Sequence, residues 1–180
     1  MGESDENDTG PDQGADADPV AVAREIALRQ LDVRARSRAE LQRAMAKKHV
    51  PEAAAAEVLD RFAEVGLIDD AAFAEQWIAS GERRMRGKAV LRQELRQKGV
   101  DAETVEAVLT GRDSDDREVA LRFAVRKARS LAGLERAVAY RRLCGALARR
   151  GFAPSVVASV AAEVLREHFG GAAGFEDDQM

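Results

Sequence analysis

Apolar positions along the middle of the chain recur at helical spacing. Phe73 and Trp77 are four apart, as are Leu91 and Leu95. Val105, Val108 and Leu109 follow i, i+3, i+4. Leu121, Ala124, Val125 and Ala128 extend that rhythm to i+7, as do Val157, Val160, Ala161 and Val164. Each set lines one side of a helix and makes a stripe that must be buried. No alternating strand pattern competes. Punctuation agrees with this reading: Pro51 and Pro154 stand at expected helix starts, where a missing amide hydrogen costs nothing. Ser37 followed by Glu40 reads as a capping box. Gly66 reads as a helix stop. Asp69 or Asp70 then caps a helix beginning near Ala71, and Asp101 caps another.

The pattern repeats. Leu41, Met45, His49 and Val50 correspond at +50 to Leu91, Leu95, Gly99 and Val100, and at a further +52 to Leu143, Leu147, Gly151 and Phe152. In each copy a helix with an i, i+4 apolar pair ends in a short turn, and an apolar residue and a second helix follow. Arg34, Arg36 and Ser37 map at +50 onto Arg84, Arg86 and Gly87. The third copy departs here, with Ala139 in place of Ser37 and a longer linker. A period near fifty predicts units that bury their faces against neighbours. The expected fold is all-α: tandem three-helix repeats over 19–68, 69–116 and 117–169, forming an elongated, curved, solenoid-like body. Residues 1–18 and 170–180 hold little to bury and read as disordered tails.

Composition supports helices with wet surfaces: of 180 residues 33% are charged and only 4% aromatic, which argues against a β-sandwich. No apolar run is long enough to span a membrane, and the acidic start lacks the apolar core of a secretory signal. One cysteine, Cys144, excludes an internal disulfide framework and suggests a reducing compartment.

Charge changes the picture further. The formal net charge of −4 conceals a division. Residues 1–18 carry seven acids and 170–180 carry three, with no base in either segment. The body between them carries 22 acids against 28 bases, a net of +6. A basic body with acidic ends suits a polyanion or an acidic protein as partner.

The chemistry of catalysis is missing. There are two histidines, His49 and His168, and no HExxH, CxxC, phosphate-loop or dinucleotide motif. His49 occupies a turn position that is glycine in the sister repeats. Cys144, beside Leu143 and Leu147, reads as a buried inert thiol. The expectation is no enzyme, no cofactor and no metal.

Arginine is the positive signal, with 23 Arg against 5 Lys. Its planar fork pairs with phosphate and carboxylate as lysine cannot. Residues 83–98 hold Arg83, Arg84, Arg86, Lys88, Arg92, Arg96 and Lys98 against Glu94 alone. Lys88, Arg92 and Arg96 form an i, i+4 row. Arg122, Arg126 and Arg129 make a similar stripe, next to Lys127, and Arg141, Arg142, Arg149 and Arg150 belong to the next helix and its end. Like charges so spaced repel, and a polyanion or an acidic groove would relieve them. These residues are the candidate contact surfaces. The aromatics sit at core spacing, Tyr140 included, so nucleic-acid contact is expected through phosphates rather than base stacking.

Three stretches resemble one family. ALRQLDVRARSRAEL (27–41), GLIDDAAFAEQWI (66–78) and RGKAVLRQELRQKGV (86–100) follow in order, and together they are similar to the RecX family of bacterial regulatory proteins. The resemblance implies a small, cytoplasmic, all-helical protein. It also implies binding to the RecA recombinase, in the groove of its filament on single-stranded DNA, and inhibition of ATP hydrolysis and strand exchange, modulating recombinational repair and the SOS response. A monomer without membrane contact is expected. The acidic N-terminal segment reads as a solubility tail, with folding back onto the basic body as the other possibility. The competing functional reading is a general, sequence-independent nucleic-acid-binding helical repeat, for which phosphate contacts would be the whole of the affinity.

Overall fold

The computed structural model describes residues 18–112 and 115–170. Among these there are nine α-helices and no strand: α1 (Pro19–Val33), α2 (Arg38–Ala46), α3 (Glu52–Glu64), α4 (Asp70–Arg83), α5 (Lys88–Gln97), α6 (Ala102–Thr110), α7 (Asp116–Ala128), α8 (Arg136–Arg149) and α9 (Pro154–Gly170). A single 3-10 turn, Arg129–Leu131, follows α7. The two segments read as disordered tails lie outside the described residues, apart from their inner ends. Asp18 caps α1 by accepting from the Val20 amide at 3.0 Å, and Gly170 closes α9.

Packing divides the chain into two compact units. The first holds α1, most of α2 and α3. Its core is Ala23, Ala27, Leu41, Met45, Ala55, Val58, Leu59, Phe62 and Ile68. The alanines on α1 let that helix approach α3 closely. The second unit holds α4–α9 and also residues 37–39. It contains two cores, one around Phe73, Ile78, Leu91, Leu95 and Val105, the other around Ala124, Leu143, Leu147, Val160 and Val164. In each helical triad the first helix packs on the third: α1 on α3, α4 on α6, α7 on α9. Burying each leucine of the i, i+4 pairs contributes about 1.5–3 kcal/mol.

The repeated turn is the same in all three copies. His49, Gly99 and Gly151 have φ of 60°, 84° and 84°. Their amides donate to Ala46, Arg96 and Ala148, and the amides of Val50, Val100 and Phe152 reach back to Met45, Leu95 and Leu147. This double bond pattern closes the free carbonyls of a helix end and places an apolar residue against the last turn. Gly66 ends α3 in the same way, with φ of 73°. Asp69, not Asp70, caps α4 through the Ala72 amide, and Asp101 caps α6 through the amide and hydroxyl of Thr104. Those Thr104 bonds hold the Asp101 carboxyl below its usual range.

Ser37 and Glu40 make bonds that lie outside the capping-box reading. The buried Ser37 hydroxyl donates to the Lys98 carbonyl at 2.6 Å, and the Glu40 carboxylate takes both terminal nitrogens of Arg34 at 3.0 Å.

Candidate functional site

The basic residues form a groove because three chain segments converge in the second unit. At the end of α4 the amides of Met85 and Arg86 donate to Glu82 and Gly81, and Met85 takes φ of 56°. This reverses the chain and presents Arg83 and Arg84 toward Phe123, Arg126 and Lys127 of α7. Arg150, just past α8, closes the corner. Its guanidinium lies 4.4 Å from the Phe123 ring centroid, and it donates to the carbonyls of Arg84 and Met85. Arg150 is thus a clamp that fixes where its neighbours stand.

The corner encloses about 250 Å³ and runs into a wider groove of about 840 Å³ through the shared residues Arg84, Phe123, Lys127 and Arg150. Arg86, Glu94 and Arg149 line the wider part. Seven cations (Arg83, Arg84, Arg86, Arg126, Lys127, Arg149, Arg150) therefore face one acid, Glu94. Among the described residues, Arg83, Arg84, Arg126, Lys127 and Arg149 make no ion pair. Arg86 is the exception, being paired with Glu94, which also accepts from the Trp77 indole at 2.9 Å. A concave surface with this imbalance raises the local concentration of anions.

The other predicted contact residues stand elsewhere. Within the row Lys88, Arg92, Arg96, one side chain, Arg92, is taken up by a carboxylate. Arg92 forks onto Glu106 of α6 through Nε at 2.5 Å and a terminal nitrogen at 2.9 Å, and this bond holds Glu106 below the usual carboxylate range. The Lys98 ammonium lies 4.1 Å from the Trp77 ring centroid. The Lys88 amide is held by Asp116 at 3.0 Å. Arg96 and Arg129 are exposed. Arg122 bonds weakly to Glu118 at 3.5 Å and shares a separate hollow with Arg83, Arg112 and Glu82. Arg142 is exposed, and Arg141 faces a third cleft with Tyr140.

Two buried-face readings are corrected. Tyr140 is 38% exposed rather than packed in the core, because the small Ala139 beside it takes the inward position on α8. Cys144 is only half-buried, and its hydrogen bond holds the Tyr140 phenol above its ordinary value. No sequence period marks the Arg150–Phe123 contact or the Met85 turn. Both depend on the approach of α4 to α7 and α8.

Models of three RecX domains match the chain in order: the first three-helix domain over residues 23–62, the second over 69–109 and the third over 114–160. The chain belongs to the RecX family. The regulatory protein RecX of Streptomyces coelicolor is 42% identical over 152 residues, covering 83% of this chain and 81% of its own length. That of Thermobifida fusca is 41% identical over 162 residues, with 88% and 85% covered. The crystal structure of RecX from Lactobacillus salivarius superposes with a TM-score of 0.73 at 20% identity, over 82% of this chain and 97% of that one. At that identity the likeness concerns the fold, and the RecX fold is this all-helical repeat. Among the described residues, no three His, Cys, Asp or Glu side chains lie close enough to share a metal ion, and no helix is long and apolar enough to cross a membrane.

Proposed function

We propose that this RecX-family chain regulates the RecA recombinase. It binds RecA and its filament on single-stranded DNA, seats its arginine-rich groove along the filament and inhibits ATP hydrolysis and strand exchange, thereby modulating recombinational repair and the SOS response. The observation that carries this reading is the convergence of seven cations on one groove with a single acid. Cations held together without carboxylate partners repel one another, and a row of phosphates or acidic side chains removes that cost. The protein acts by occupancy: it shifts the filament toward whichever state it binds more tightly, by no more than the difference in affinity.

The test is ATP turnover by preformed RecA filaments, titrated with the protein and with an Arg84→Glu, Arg126→Glu, Arg149→Glu variant. Inhibition by the parent, with at least tenfold more variant needed for half effect, is expected. Equal potency would remove the groove from the interface, and no inhibition by either would overturn the regulatory reading. The same groove also suits a general nucleic-acid binder. In that case affinity for naked DNA falls as steeply with salt as affinity for the filament does, whereas a protein interface persists.

A further inference from the structure

The cleft between the start of α8 and the end of α9 takes no part in the proposed groove. It is open, of about 590 Å³, and lined mainly by apolar atoms. Ala137, Leu165 and the ring of Tyr140 form its floor. Arg136, Arg141 and Arg166 stand around it, and Glu135 is its one acid. Among the described residues none of these three arginines makes an ion pair. An apolar floor rimmed by cations recognises an aromatic or aliphatic residue beside carboxylates, and the volume is that of a ligand site.

Such a segment follows directly in the sequence. After Gly170 the chain reads GAAGFEDDQM, with one aromatic residue, Phe175, immediately before three acids, Glu176, Asp177 and Asp178. We propose that this cleft is the seat of residues 175–178 of the same chain, with the Phe175 ring on Tyr140 and Leu165 and the three carboxylates facing Arg136, Arg141 and Arg166.

Geometry and chain length allow it. Arg166 lies four residues before the end of α9, about 6 Å along the helix axis. Phe175 lies five residues beyond that end and reaches back up to roughly 17 Å. Gly170, Gly171 and Gly174 permit the reversal. The short tether gives an effective concentration in the millimolar range, so a modest contact suffices. Occupancy would cover Arg141, a cation that stands outside the proposed groove.

The test is isotope-filtered NMR on the full chain, with Phe175→Ala as the reference. Contacts between the Phe175 ring and the Leu165 methyls or the Tyr140 ring are expected, independent of protein concentration. Phe175→Ala shifts the Tyr140 ring signals. The variant Glu176→Gln, Asp177→Asn, Asp178→Asn leaves the fold unchanged and lowers the docked population several-fold at low salt. Two results overturn the proposal. One is the absence of those contacts, with Tyr140 signals identical in parent and Phe175→Ala. The other is contacts seen only between labelled and unlabelled molecules, which would make a second copy the occupant.

Discussion

The backbone amide of Lys88 donates to the carboxylate of Asp116 at 3.0 Å. The amide of Arg38 donates to Asp70 in the same way at 2.9 Å. Lys88 is the repeat equivalent of Arg38, and Asp70 and Asp116 each occupy the first position of a helix. A free amide at one helix start is thus satisfied by a carboxylate from the start of the next triad's first helix. The neighbouring positions agree in location but differ in chemistry. Ser37 donates through its hydroxyl to the Lys98 carbonyl, whereas Gly87 donates through its own amide to the Arg150 carbonyl at 2.8 Å.

Burial raises the pKa of Asp116 above its ordinary 3.8, against the opposing effect of the Lys88 amide. The folded state therefore binds the proton more tightly than the unfolded one. Its contribution is most favourable below the unfolded value and is lost as pH rises through the folded one. Asp116→Asn keeps an acceptor without a charge to desolvate, so at pH 7 it is expected to be as stable as the parent or more so. Asp116→Ala leaves the amide unsatisfied and costs about 1–3 kcal/mol. Urea unfolding at pH 7 and pH 4 checks both, with the parent gaining on the Asn variant as pH falls.

Gly87 and Gly151 meet backbone to backbone. A Cβ on Gly87 would overlap the Gly151 carbonyl and lie 2.8 Å from the Phe152 nitrogen, and one on Gly151 would lie 2.6 Å from the Val90 nitrogen. Gly87→Ala is expected to cost about 1–3 kcal/mol, as overpacking does, because rigid backbone stands in the way. His49 holds the left-handed conformation without the freedom of glycine. Relief of that strain, about 1–2 kcal/mol, exceeds the unfolded-state entropy of glycine, so His49→Gly should stabilise slightly. Thermal melts that rank His49→Gly above the parent and Gly87→Ala below it would support both assignments.

What the sequence made legible was local. The i, i+4 leucine pairs, the Asp101 cap and the alignment of His49 with Gly99 and Gly151 are written within a few residues of one another, and the observed turns follow them. What it hid was long-range. The row Lys88, Arg92, Arg96 looked self-repelling because Glu106, which holds Arg92, comes from the next helix. The basic residues near Arg84 and those near Arg150 looked like two surfaces. They line one groove because the Met85 turn and the Arg150 clamp bring α4, α7 and α8 together. Tyr140 sat at a position where core and cleft cannot be told apart until α9 is in place.

The two kinds of arginine should respond differently to charge reversal. Arg92→Glu would set a carboxylate against Glu106, and the expected result is lost stability, visible as a lower unfolding midpoint. Arg126→Glu with Arg149→Glu removes groove cations that hold no partner among the described residues, so the melting temperature should stay nearly unchanged. Affinity for single-stranded DNA at low salt should fall at least tenfold. The slope of log affinity against log salt should drop by about 1.4, if each residue neutralises one phosphate. A lower midpoint for the double variant, or an unchanged slope, would count against the groove.

Glu94 is the one acid of the groove, and it does two jobs: it accepts from the Trp77 indole and pairs with Arg86. Glutamine at this position retains a carbonyl oxygen for the indole but gives up the charge. Arg86 would then be released toward the groove, and the local balance would rise from seven cations against one acid to seven against none. Glu94→Gln is accordingly expected to strengthen binding to single-stranded DNA severalfold at low salt, with the gain fading as salt screens the groove. The Trp77 fluorescence should change little if the indole bond survives. Weaker DNA binding, together with an unaltered indole signal, would mean that the Arg86–Glu94 pair shapes the groove rather than limiting its charge.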